Sequence, residues 1–321
     1  MSGITVTPIP NKVFGATVTG VSLRDIGDAD FAAVHAAFLK YGFLVFPGQF
    51  LTDAENIAFG QRFGELEFGA MPLSNQARSK DGTLGEIFEV NSRRMRSAIG
   101  NEGWHTDSTY KPLSSKCAML SAVVVPDEGG QTEFADMRAA YAALDDATRA
   151  RIETLSAYHS IVFSQANDLG DFPTLEDGAN YHGEAYLRPL VKRHPETGVK
   201  NLFVARHAFG IPGLSREESR ALIKRLVEFA VSDEARVYRH QWTAGETILW
   251  DNRSLLHRAM PYDYAKPRVL IGTRVAGDPA SELAYYPDDP RAQAGREVLA
   301  AELPLLRHET AGKRYHEAHP H

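Results

Sequence analysis

Trp104-His105-Thr106-Asp107 places an imidazole and a carboxylate two residues apart. On an extended segment, residues i and i+2 point to the same side, so one cation can meet both. A third ligand must come from elsewhere. His257 in WDNRSLLHRA, at the end of an apolar run after a strand, is the best placed. Two histidines and one carboxylate form the facial set that binds ferrous iron and leaves three positions open. A chelating co-substrate can take two of these and O₂ the third. Two His-x-Glu triplets compete, His182-Gly183-Glu184 and His194-Pro195-Glu196. The second reads as a solvated turn in RHPETG. The first lies in a polar segment too mobile for a preorganised ligand set. His35, among apolar residues on a helix face, reads as a packed side chain. Cys117, inside CAMLSAVVV, reads as a small buried hydrophobe.

A co-substrate that chelates at one end and carries a second carboxylate needs a cation for it. Arg268, eleven residues after His257 at the start of a strand, offers a rigid two-pronged donor that matches a carboxylate. Thr132, in GGQTEF, can add a hydroxyl to the same group. Taken singly, Arg268 is a salt-bridge partner and Thr132 a strand residue. Jointly with the triad they describe one site.

The elements that must carry these residues are strands with helices between them. Phe31, Val34, His35, Phe38 and Leu39 follow helical spacing, and GFLVFPG (42–48) reads as a buried strand. Thr52 with Glu55, and Ser215 with Glu218, have capping-box spacing and open helices. A helical insertion runs from about Asp136 to Leu155 with a break near Asp145. Strand signals fall at 117–125, 201–205, 237–242, 246–250 and 268–275. This pattern suggests a closed or sandwiched β core in one domain, 1–321, rather than a βαβ alternation. The polar stretch 164–190 is long and irregular, and reads as a lid.

The 321 residues carry 43% hydrophobic and 24% charged side chains, an ordinary globular composition. A formal net charge of -6 argues against a nucleic-acid binder, which needs a basic face. One cysteine excludes an internal disulfide or a thiolate zinc site. No apolar run is long enough to span a bilayer, and the N-terminus lacks a signal-peptide pattern. A soluble, cytoplasmic protein is expected. No phosphate loop or dinucleotide fingerprint is present. The C-terminal HEAHPH carries no fold argument.

WHTD (104–107), GGQTEFADM (129–137), WDNRSLLHRA (250–259) and PRVLIGTR (267–274), in this order, resemble the taurine dioxygenase and 2,4-dichlorophenoxyacetate dioxygenase family. The stretch 42–66 is similar to it as well. The resemblance implies a mainly β fold with inserted helices around a double-stranded β-helix, or jelly-roll, core. It implies an Fe(II)- and 2-oxoglutarate-dependent dioxygenase that hydroxylates a C–H bond of a small anionic molecule and releases succinate and CO₂. His105, Asp107 and His257 would be the iron ligands, and Thr132 and Arg268 would hold 2-oxoglutarate. A homodimer or homotetramer is the assembly it implies.

The sequence departs from taurine-type members at two substrate contacts. Gly272 stands where they carry a second arginine, and FGELEFGAMP (63–72) lacks their histidine. Gly272 would make room for a bulkier substrate such as an aromatic ring. Asn101 matches a substrate-side asparagine. Arg274, and Arg93 within the run Arg93, Arg94 and Arg96, are the cations that could meet a substrate anion. The GGQTEFADMRAAY segment is closer to the aryloxyalkanoate branch. A sulfonate dioxygenase with a rearranged anion site is the alternative, and a non-catalytic metabolite-binding β-barrel is a third reading.

Overall fold

Residues 3–79 and 81–312 are described by the computed structural model; HEAHPH, at 316–321, lies outside them. A seven-stranded sheet runs in space as Thr5–Pro8, Ala16–Thr19, Phe43–Phe46, Thr247–Asp251, Ser115–Val124, Val269–Ala276, Leu66–Ser74. Ala16–Thr19 and Phe43–Phe46 are parallel; the other pairings are antiparallel. FLVF and TILWD are buried at every residue. Strands covered on both faces read as continuous apolar runs rather than as alternation.

Two layers do the covering. Helices Asp28–Tyr41 and Asp53–Gln61 lay Val34, Phe38 and Phe59 against Leu44, Phe46, Met119 and Leu249 on one face. Against the other face lies a three-stranded sheet of Val237–His240, Thr132–Asp136 and Leu255–Ala259. Its Phe134 ring is 4.4 Å from Phe43 and 5.6 Å from Trp250, centroid to centroid. Neighbouring residues alternate faces, so Ala135 and Leu256 point away from that interface. They pack under helices Met137–Ala143 and Arg216–Ala230.

The chain is therefore a mixture of sheets and helices, and among the described residues the two facing sheets do not close into a barrel. Helices over both outer faces make it less β-dominated than expected. The local signals hold. Both capping boxes form, Thr52 with Glu55 and Ser215 with Glu218. The helical insertion breaks at Asp145, which caps Asp146–Ile152. The 201–205 strand is shorter, Lys200–Leu202. The stretch 164–190 is more ordered than its composition suggested: it starts inside helix Ile161–Leu169 and ends in strand Tyr186–Pro189. Among the described residues no helix is long and apolar enough to cross a membrane.

Candidate active site

His257 lies in the middle of strand Leu255–Ala259, opposite Phe134. Its ring is wedged between Trp250, at 4.8 Å, and Phe134, at 6.1 Å. On its free side the chain comes back as Trp104–Asp107. His105 N donates to His257 O and His257 N to His105 O, both at 2.9 Å. Such a reciprocal pair sets two side chains on one face, and the imidazole centroids are 4.2 Å apart. His105 Nδ1 is 2.8 Å from Gly103 O, which fixes Nε2 as the nitrogen turned inward.

Asp107 completes the cluster two residues on. Its carboxylate oxygens lie 4.0 Å from His105 Nε2 and 3.7 Å from His257 Nε2. One donor atom from each residue fits within 4.8 Å of the others. Burial raises the pKa of Asp107, but Arg274 foremost, with His257 and His105, holds it below the usual carboxylate range. Burial drives both histidines the other way, His105 well below its ordinary value. An ionised carboxylate thus faces two neutral imidazoles, the protonation pattern a metal requires. Asp107 Oδ2 is buried with no hydrogen-bond partner. Such an oxygen is costly unless a cation meets it, so the residues fit a divalent metal.

The second half of the site lies along the same strand pair. Phe134 pairs with His257 and Thr132 with Ala259, so Thr132 shares the His257 face about 7 Å further along. Thr132 Oγ1 is held by Trp242 Nε1 at 3.0 Å. Arg268 closes this end through Nε to Gly130 O, 3.0 Å, while its guanidinium sits 5.7 Å from the Tyr262 ring. A Cβ on Gly130 would come within 3.1 Å of Arg268, so the close approach needs glycine there. Burial pushes the Arg268 pKa down and only Tyr262 and Tyr264 oppose it. Among the described residues no carboxylate forms an ion pair with this guanidinium. It is a half-buried cation suited to an incoming anion.

Comparison with known proteins agrees. Residues 5–274 match the family described as taurine catabolism dioxygenase TauD, TfdA family. The chain belongs to the TauD/TfdA family. It is 50% identical over 279 residues to an (S)-phenoxypropionate/alpha-ketoglutarate-dioxygenase of Sphingobium herbicidovorans, across 85% of this chain and 96% of that protein. It is 37% identical to the alpha-ketoglutarate-dependent 2,4-dichlorophenoxyacetate dioxygenase of Cupriavidus pinatubonensis, across 81% and 93%. Among solved structures, AAD-2 in complex with Mn(II) and N-oxalylglycine superposes with a TM-score of 0.79 at 37% identity, covering 85% of this chain and 97% of that one. The protein is a 2-oxoglutarate-dependent dioxygenase that uses Fe(II), 2-oxoglutarate and O₂.

Within this TauD/TfdA enzyme the expected substrate cations take other positions. Arg274 is engaged by Asp107 at 2.6 Å and is no free grip for a substrate anion. Arg93 is ion-paired with Asp171 and Asp177, each at 2.5 Å, and tethers the 171–177 segment instead. Asn101 is exposed on the short turn Gly100–Glu102. Gly272 opens no space: a Cβ there would meet Leu73 at 3.0 Å and Leu120 at 3.5 Å. The place of the missing arginine is apolar.

RHPETG is the solvated turn expected, with Arg193 and Pro195 to Gly198 exposed; only His194 departs from that. His194 is buried and its Nε2 is 2.8 Å from Asp251. His35 packs against Phe31, Phe38 and Phe63 as expected. Two residues near the site had no sequence signal beyond their type. His207 stands edge-on to His105 at 6.2 Å and to Tyr110 at 4.9 Å, with Nδ1 2.8 Å from Ser164 Oγ. Arg206 bonds Asp168 at 2.8 Å and also reaches Gln165 and Gly100 O, tying helix Ile161–Leu169 to the segment before His105.

Proposed function

We propose that the enzyme hydroxylates an aryloxyalkanoate at the carbon next to the ether oxygen, giving a product that fragments. In this reading His105, Asp107 and His257 hold Fe(II), and Arg268 with Thr132 holds the distal carboxylate of 2-oxoglutarate. The observation that carries the site is the buried Asp107 Oδ2, which makes no hydrogen bond among the described residues and faces the imidazoles, with Arg268 further along the same face and, among the described residues, in no ion pair. Bound there, ferrous iron supplies the O₂-dependent oxidation of the C–H bond.

The chain's own contribution is placement and exclusion of water. Phe134 and Trp250 wall the His257 ring. Thr132 and Arg268 fix the co-substrate by its far end. Leu73 and Leu120 at Gly272 present apolar surface where a sulfonate would need a cation, which favours an aryl group. The 50% and 46% identical relatives, both named as phenoxypropionate dioxygenases, support the same class. Segment 164–190 is read as a cover: its Ser164 bonds His207 beside His105, and Asp171 and Asp177 latch it to Arg93. A cytoplasmic homodimer or homotetramer belongs to this reading on family likeness, and light scattering checks the assembly.

A panel of 2-phenoxypropionate enantiomers, 2,4-dichlorophenoxyacetate, taurine and alkyl sulfates decides the substrate class. Succinate formation coupled to phenol release should exceed that with taurine by at least about tenfold, a difference of ~1.4 kcal/mol. Equal kcat/KM for taurine or an alkyl sulfate overturns the assignment. The His257→Ala chain should lose coupled turnover with every compound.

A further inference from the structure

Asp107 has two oxygens, and the structure treats them differently. Oδ2 is partnerless. Oδ1 accepts a 2.6 Å bond from Arg274 Nη2. Both side chains are largely buried, 6% exposed for Asp107 and 14% for Arg274, so solvent screens the contact little. We propose that Arg274 is a positioning residue that occupies Oδ1 so that Asp107 presents a single oxygen to the metal. This rests on the triad being the metal site.

Arg274 is itself held from several sides. Its Nη1 lies 3.3 Å from Ser108 Oγ and 3.8 Å from Glu67 Oε1, and its guanidinium sits 4.8 Å from the Phe68 ring. Glu67 accepts from Ser108, Lys111 and Ser115. Two carboxylates and two cations therefore balance around the turn that follows Asp107. Ser108 adopts a positive φ of 58°, a strained conformation for a residue with a side chain, and one that persists where surroundings fix it.

The chemistry gives the arrangement a purpose. A facial set keeps three positions open only while its carboxylate uses one oxygen. A carboxylate binding through both oxygens would take one of the positions that the co-substrate chelate and O₂ need. Arg268 and Arg274 share the inward face of strand Val269–Ala276 and its start, six residues or about 20 Å apart. One serves the co-substrate's far end and the other the metal ligand.

The test uses the full-length enzyme. In Arg274→Gln, 2-oxoglutarate affinity of the anaerobic Fe(II) protein, read from the metal-to-ligand absorption band, should fall at least about tenfold with a shifted band, and Arg274→Lys should recover part of it. Native band and affinity in a folded Arg274→Gln overturn the proposal, since a merely structural ion pair would change thermal stability alone. If the variants do not fold, the native protein decides. With ¹³C-labelled aspartate, the Mn(II)-minus-apo infrared difference should show the widely split carboxylate pair of one-oxygen binding. A narrow splitting overturns it. His257→Ala serves as control: native Mn(II) affinity there would sink the triad instead.

Discussion

Two clusters in this molecule are built from the same parts, histidine, aspartate and arginine, all largely buried. In the first, Asp251 accepts from Arg253 N, Nε and Nη2 and shares a 2.8 Å bond with His194 Nε2. His194 Nδ1 in turn accepts from the amides of Glu196 and Thr197. Glu196 bonds Arg253 and approaches His35. In the second, Asp107 Oδ2 makes no hydrogen bond among the described residues and faces His257 Nε2 at 3.7 Å. The first cluster is saturated and pins a turn to a strand end. The second turns Nε2 of His105 and of His257 and the Asp107 carboxylate toward a common point. Residue types do not separate structure from chemistry here; the hydrogen-bond accounting does.

The comparison can be broken at four places. Asp251→Ala strips the counter-ion from buried Arg253 and His194 and should cost about 3–5 kcal/mol in denaturant unfolding, while Mn(II) affinity of the surviving fold stays native. Arg268→Gln should raise the KM for 2-oxoglutarate by roughly 10–150-fold, the worth of a charged hydrogen bond of about 1.5–3 kcal/mol, with apo stability little changed.

The third place is His159, whose two ring nitrogens are also unpartnered but which meets no carboxylate. It stacks on Phe203, and the charged or titratable groups facing it are Arg188 and His207. Burial first, then Arg188, lowers its pKa to about 3. Below the ordinary value of 6.5 the unfolded chain binds the proton and the folded one does not, so stability falls as pH drops from 6.5 toward 3. At pH 5 the loss is about 2 kcal/mol. His159→Phe should flatten that slope in melts at pH 5 and pH 8, without creating or removing metal affinity. The smallest effect belongs to His257→Phe, which removes an unpartnered nitrogen from an aromatic niche. Apo stability should change by less than about 1 kcal/mol in calorimetry, although turnover is lost.

What the sequence disclosed was whatever is local or repeated in a known order. The capping boxes at Thr52 and Ser215 depend on residues three apart. The buried strands announced themselves because both faces are covered. His105, Asp107 and His257 could be proposed from residue type and the order of four motifs. Long-range partners were hidden. Arg274 looked available because Asp107 is 167 residues away. His194 looked solvated with the rest of its turn because Asp251 lies 57 residues further on. Helix Ile161–Leu169 was missed because Ser164 and Gln165 are polar yet buried, satisfied by His207 and Arg206 that no local pattern announces.

The mutual amide bonds between His105 and His257 have a consequence for how the enzyme can change. They amount to one rung joining an arm to a ladder, made by peptide groups that every residue supplies. Imidazole spacing is thereby insulated from side-chain drift in the surrounding walls, and new substrates can be accommodated without retuning the ligands. Length is what cannot vary. One residue inserted between Gly103 and His105 would slip that rung and turn the ring to the opposite face.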